Sequence, residues 1–171
     1  MARAALEQLD LEKVLWMPTG KPRYRDAPAA APEHRLAMLR LAVEGEPAFE
    51  IDPRELSPGA SGYTVDTLHE LRLELGRDTK LVLLIGADQY AKFGAWRRAD
   101  EVKRMARLGV TKRPGFDKKI DRAALVVEMA PMAVSGSEIR ARVARGEDIG
   151  AMVPTPVAGY IKEHGLYRLP S

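Results

Sequence analysis

At 171 residues, 46% hydrophobic and 30% charged, the chain is long enough and apolar enough to close one substantial core, which argues against disorder. It has no cysteine, which excludes disulfides, thiolate zinc sites and thiol nucleophiles. Its 27 basic and 24 acidic side chains leave a formal net charge of +3, too mild to imply nucleic acid but suited to a pocket where arginine forks meet a phosphorylated small molecule.

Residues 2–11 place Ala5, Leu6 and Leu9 on one helical face. Residues 14–17 read as a buried strand stopped by Pro18. Residues 19–31, rich in Pro, Gly, Ala and Arg, read as a long loop. A helix follows from Pro32, with Leu36, Leu39 and Val43 as its stripe and Gly45 beyond its end. Residues 48–52 alternate as a half-buried strand, and 57–62 form a turn-rich loop. Thr64 is expected to cap a helix carrying Val65, Leu68, Leu71 and Leu75. Residues 81–85 form a continuous apolar strand of the kind covered on both faces in a parallel sheet.

Beyond it, a short helix is expected after Asp88 and another at 98–105. Strands are expected at 108–112 and 125–129, and helices at 135–145 and 155–164, the second with Thr155 as cap and Pro156 at its first position. Strands alternating with helices predict one doubly wound α/β domain over 1–171, with a mainly parallel sheet. The longest apolar run is far shorter than the roughly 18 residues that suggest a membrane span, and the first residues lack a secretory signal's apolar core. The expectation is a soluble cytoplasmic protein. His34, His69 and His164 are the only histidines, and no two share metal-site spacing.

Ligand-suited groups recur at strand ends and helix starts. Ser135 and Glu138 have capping-box spacing, and such a helix start offers free N–H groups and partial positive charge to an anion. Ser137 adds a hydroxyl there and Arg140 a cation one turn on; the alternative is an ordinary capped helix with a solvated arginine. Gly86 and Asp88 follow the buried strand, where open α/β sheets bind ligands. There the glycine would admit a close approach and the carboxylate would accept hydrogen bonds, or the pair would merely make a turn and a cap. Trp96 would stack on a flat ring or pack in the core. Tyr63 and Thr64 open a helix and would meet a phosphate or amide, or only cap it. Lys21, Arg23 and Arg25 lie in a basic loop after a strand, and Arg113 sits at a strand end, each either on a phosphate or in solvent. Together these predict a phosphorylated, nucleotide-like ligand along one sheet edge.

The same residues carry a family resemblance. Residues 14–20, Glu55-Leu56, Gly62-Tyr63-Thr64-Val65-Asp66-Thr67-Leu68, Leu84-Ile85-Gly86-Ala87-Asp88, Phe93 with Trp96, Lys112-Arg113-Pro114-Gly115, Val134-Ser135-Gly136-Ser137-Glu138-Ile139-Arg140 and the closing Gly165-Leu166-Tyr167-Arg168 occur in order along nearly the whole chain. In this the chain resembles the bacterial nicotinate-nucleotide adenylyltransferases of the nucleotidyltransferase superfamily. The resemblance implies a Rossmann-like fold and transfer of AMP from ATP to nicotinic acid mononucleotide with Mg²⁺, giving deamido-NAD and pyrophosphate in NAD biosynthesis. It implies ATP at Gly86, Asp88, Ser135, Ser137 and Arg140, and the mononucleotide at Tyr63, Thr64, Trp96 and Arg113. Lys21 and Arg25 are loop candidates, and no protein-held metal is implied. A homo-oligomer is compatible with it.

The chain also departs from the family. The Gly-rich segment with paired histidines is absent from these 171 residues, so no catalytic residue is assigned. The first central strand is expected to be missing from the sheet, and this form to be weakly active or inactive. Pro22-Arg23-Tyr24-Arg25 stands where a Pro-Pro-His is usual, Pro58 where a basic residue is familiar, and Gly136 where serine is more usual. Two other readings stay open. One is a different nucleotidyltransferase, such as a phosphopantetheine adenylyltransferase, which an acceptor panel would separate. The other is a non-catalytic nucleotide-binding protein, recognised by binding without pyrophosphate release.

Overall fold

The structure, a computed structural model, describes residues 1–20, 28–111, 120–130 and 134–168. In chain order the elements are α1 (Ala2–Gln8), β1 (Val14–Trp16), α2 (Pro32–Val43), β2 (Phe49–Ile51), α3 (Thr64–Leu75), β3 (Val82–Gly86), α4 (Ala87–Tyr90), α5 (Ala99–Met105), β4 (Arg107–Thr111), β5 (Leu125–Val127), α6 (Gly136–Ala144) and α7 (Thr155–Glu163). They belong to two compact units, one from residues 1–14 and 61–132, the other from 15–60 and 133–171.

The first unit is a parallel sheet with helices packed on it. β3 pairs with β4 from Val82↔Arg107 to Gly86↔Thr111, and β4 pairs with β5 from Gly109↔Leu125 to Thr111↔Val127. Parallel neighbours need crossovers, and α4 and α5 supply the one from β3 to β4. Val65 and Leu68 of α3, Val102 of α5, Val110 of β4 and Val127 of β5 are buried in this unit's core. Val65, Leu68 and Leu71 are one helical face, while Leu73 turns outward and is 88% exposed. Gly109 suits its place because a Cβ there would come within 2.6 Å of Leu84 Cδ2 and 2.9 Å of Val82 Cγ1. At the far end of α3, Gly76 adopts φ 84° and its N–H donates to the Arg72 carbonyl, closing the helix. The Arg72 guanidinium then donates to the carbonyls of Arg77, Thr79 and Met105, tying the α3 C-terminus to α5.

The second unit joins a two-stranded sheet, β1 with β2, to α2, α6 and α7. The Asp52 N–H donates to the Trp16 carbonyl at 3.0 Å, and the Trp16 and Phe49 rings meet edge-on at 5.6 Å. Ile149, Val157 and Ile161 are the buried centre, with Met38 and Leu41 of α2 and Ile139 and Val143 of α6 packed against them. Gly20 lies directly on the chain at Glu55, where a Cβ would fall 2.0 Å from the Glu55 carbonyl oxygen.

The expected α/β architecture with a parallel sheet is present, with the strands sorted into two sheets. Three caps fall one or two residues away from their expected places. Tyr63, not Thr64, is the N-cap of α3, and Thr64 is its first helical residue. Gly86 is the N-cap of α4, so Asp88 lies inside the first turn. Pro154 precedes α7, leaving Thr155 and Pro156 as its first two residues. In each case a residue with extended backbone immediately before the helix takes the half-in position, and capping side chains further along cannot. The loop expected at 19–31 lies partly outside the described residues.

Candidate functional site

The start of α6 is the best-defined polar arrangement in the second unit. Ser135 is extended, with φ −130° and ψ 151°, and its Oγ accepts the Glu138 N–H at 3.1 Å. This is half of a capping box. The other half is diverted, since the Glu138 carboxylate accepts from the Arg142 Nε at 3.1 Å and lies 3.8 Å from Arg145 Nη2. Ser137 Oγ is 3.0 Å from Ser135 Oγ, so two exposed hydroxyls share the helix mouth.

Arg140 curls back over the same turn. Its Nη1 lies 3.2 Å from the position a Cβ would take at Gly136. Gly136 therefore leaves room for the guanidinium, and a serine at that position would crowd it. Behind Arg140, the Tyr167 phenol is pushed above its ordinary range by burial, and the charges of Arg140 and Arg35 pull it the other way. The helix dipole, two hydroxyls and a guanidinium make this end of α6 complementary to an anion.

In the first unit, Gly86 is the last residue of β3 and pairs with Thr111. Its φ of −76° and ψ of 158° are open to any residue, so the value of glycine there is the absence of a side chain rather than a special backbone angle. Asp88 is half-buried just beyond the strand's carboxyl end and accepts from the Gln89 side chain at 3.2 Å. The structure also joins Tyr63 to the turn that carries Trp96. Gly62 takes φ 74°, delivering Tyr63 to the start of α3, and the Arg97 guanidinium lies 4.4 Å from the Tyr63 ring centroid. Trp96 is half-buried, tilted against Phe93 at 5.2 Å, and lines a cavity of about 400 Å³ with Phe93, Arg98 and Lys103.

Thr64 occupies the first turn beside Tyr63. Lys21, Arg23, Arg25 and Arg113 lie outside the described residues. Ser135, Ser137 and Arg140 are thus assembled in one unit, and Tyr63, Thr64, Gly86, Asp88 and Trp96 all belong to the other.

The sequence reading passed over Arg97 and Arg98. Arg98 caps α5 in the left-handed region, with φ 54°. Its guanidinium grips both Glu101 oxygens, Nε at 2.6 Å and Nη2 at 2.7 Å, and its Nη1 lies 3.7 Å from Asp66. His69 Nε2 lies 2.6 Å from the same Glu101. The Arg98 and His69 contacts hold the Glu101 carboxyl below its usual range, Arg98 most of all. Only the three-residue spacing of Arg98 and Glu101 was visible in sequence.

Comparison with known proteins follows the same lines. A match to the cytidylyltransferase-like family runs over residues 1–142. A probable nicotinate-nucleotide adenylyltransferase of Laribacter hongkongensis is 40% identical, over 98% of this chain and 86% of its own length. One from Bordetella petrii is 37% identical, over 98% of this chain and 90% of its own. The chain belongs to the nicotinate-nucleotide adenylyltransferase family. Among solved structures, Plasmodium falciparum nicotinic acid mononucleotide adenylyltransferase complexed with NaAD shares the adenylyltransferase fold. Its TM-score is 0.73 over 96% of this chain and 90% of that one, at 17% identity. Among the described residues of this adenylyltransferase, no helix is long and apolar enough to cross a membrane.

Proposed function

We propose that the chain transfers the adenylyl group of ATP to nicotinic acid mononucleotide. The observation that carries this reading is the convergence of Ser135, Ser137 and Arg140 on the start of α6, an arrangement built for phosphate oxygens. In the reaction, a phosphate oxygen of the mononucleotide attacks the α-phosphorus of ATP. The bond to the bridging oxygen breaks, and pyrophosphate leaves with its electron pair. Such a transfer needs positioning and charge neutralisation more than a protein nucleophile.

Ser135, Ser137 and Arg140 hold the triphosphate, while Gly86 and Asp88 take the nucleoside side, with Asp88 accepting from ribose hydroxyls. Tyr63, Thr64 and Trp96 receive the pyridine ring, and Arg113 its phosphate. Lys21 and Arg25 are candidates to close on the ligands. Among the described residues no three His, Asp or Glu side chains gather to hold a metal ion. Mg²⁺ would come with ATP, held by triphosphate oxygens and water, and would supply charge neutralisation when bound. The single-domain reading over 1–171 draws support from a family match that spans residues 1–142 and so includes residues of both units.

The test is pyrophosphate release with ATP and a panel of phosphorylated acceptors, beside calorimetry. Release with nicotinic acid mononucleotide alone supports the reading. Release with phosphopantetheine alone replaces the acceptor, and tight ATP binding with no release for any acceptor favours a binding protein.

A further inference from the structure

Arg98 has no part in the reading above, yet it occupies a conformation that backbone sterics disfavour. Its φ of 54° and ψ of 43° lie in the left-handed region, uncommon for a residue with a side chain and kept only where surrounding contacts enforce it. The backbone it sets is that of a short connector. Trp96 is extended, with φ −71° and ψ 147°, at the end of the 3₁₀ turn Phe93–Ala95. Two residues later the Arg98 carbonyl accepts the Glu101 N–H at 2.9 Å and the Val102 N–H at 3.1 Å, which starts α5. The Arg98 conformation therefore sets where Trp96 is held relative to α5.

The Arg98 side chain supplies the enforcement. Its Nε meets Glu101 Oε2 at 2.6 Å and its Nη2 meets Oε1 at 2.7 Å, the two parallel bonds of a guanidinium fork on a carboxylate. Its Nη1 stands 3.7 Å from Asp66 in the first turn of α3. Glu101 has a second partner, since His69 Nε2 of α3 lies 2.6 Å from its Oε1. The connector is thus tied to α5 through Glu101 and to α3 through Asp66 and His69. The Arg98 side chain is 46% exposed and that of Glu101 22%, so solvent screening leaves the pair little weight in global stability. What two parallel bonds add is orientation.

We propose that Arg98 is a positioning residue of the acceptor site: clamped on Glu101 and Asp66, it holds the connector in the conformation that presents Trp96 to the pyridine ring. This rests on the assignment of Trp96 to that ring. Arg98 acts through Trp96, so its loss should reach the acceptor and spare ATP.

The chain has two tryptophans, Trp16 and Trp96, so a Trp16→Phe background leaves Trp96 as the reporter. In that background the unaltered connector is compared with Arg98→Ala, Arg98→Lys and Glu101→Gln. Trp96 fluorescence anisotropy is read beside calorimetric binding of nicotinic acid mononucleotide and ATP. Arg98→Ala should lower the anisotropy and weaken the mononucleotide by about fivefold or more, with ATP within twofold. Glu101→Gln, which removes the charge that the fork grips, should move both readouts the same way. Arg98→Lys, which keeps the charge but not the planar fork, should recover part of the loss. Unchanged anisotropy in Arg98→Ala and Glu101→Gln, or equal weakening of both ligands, overturns the inference. A Trp96→Ala control separates the two levels. If it leaves mononucleotide binding unchanged, the acceptor assignment of Trp96 fails and takes the inference with it, whatever Arg98 does to the indole.

Discussion

Ser135 shows how one side chain serves two purposes. Its Oγ accepts the Glu138 N–H, and the same atom lies 3.0 Å from Ser137 Oγ at the helix mouth. Ser135→Ala should cost about 1 kcal/mol of stability, the usual value of a lost cap. In a chain of this size that is a fall of roughly 2–4 °C in Tm, measured by thermal denaturation. Arg140 is exposed and supports no core, so its substitution should separate binding from folding. Arg140→Ala should weaken ATP binding by about tenfold or more while leaving mononucleotide binding within twofold, as read by calorimetry. Equal loss of both ligands would remove Arg140 from the triphosphate. These residues were legible because a capping box and a cation one turn on are local patterns. Arg97 was not, since its partner Tyr63 is 34 positions away and no local spacing announces the contact.

At the scale of elements, α3 and α5 are joined by a polar cluster as well as by the buried Val65 and Val102. Arg98, Asp66, Glu101 and His69 form that cluster, with Glu101 at its centre. Because the folded state depresses the Glu101 value, its contribution is present above the ordinary glutamate range. It is lost as pH falls below about 4.3 toward the folded value. The stability difference between the unaltered chain and Glu101→Gln should therefore be widest at neutral pH and shrink below about pH 4, measured by urea denaturation across that range. A difference independent of pH would show that the carboxylate's charge is not what joins the helices. The network lies on exposed and half-buried positions, so its chief effect is to hold the Trp96–Arg98 turn rather than to stabilise the whole fold.

At the scale of the whole molecule, the unit that presents Ser135, Ser137 and Arg140 at the start of α6 also carries a cluster of aromatic and imidazole rings. The structure brings His34 and His164 together with Tyr160, the two imidazoles 5.1 Å apart and His34 Nδ1 3.0 Å from the phenol oxygen. That cluster links α2 and α7. Tyr160→Phe, which removes the phenol oxygen from His34, should cost about 1 kcal/mol and lower Tm by roughly 2–4 °C in thermal denaturation. An unchanged Tm would show that ring packing alone joins the two helices.

Hydrophobic period and turn chemistry act over a few residues, so the sequence alone determined the order of helices and strands, the stripe Val65–Leu68–Leu71 and the Ser135 cap. The parallel pairing behind the α/β expectation was legible for the same reason, because a fully apolar five-residue strand between helices has few other solutions. Helix starts were less legible, since the half-in position depends on backbone angles as well as on side-chain type, and Tyr63 took the place expected of Thr64. Only the tertiary structure decided that Arg98 would consume Asp66 and Glu101 while Arg97 lay on Tyr63. Two adjacent arginines are equivalent as a string. They become different only when folding has fixed which carboxylates and which ring stand within reach.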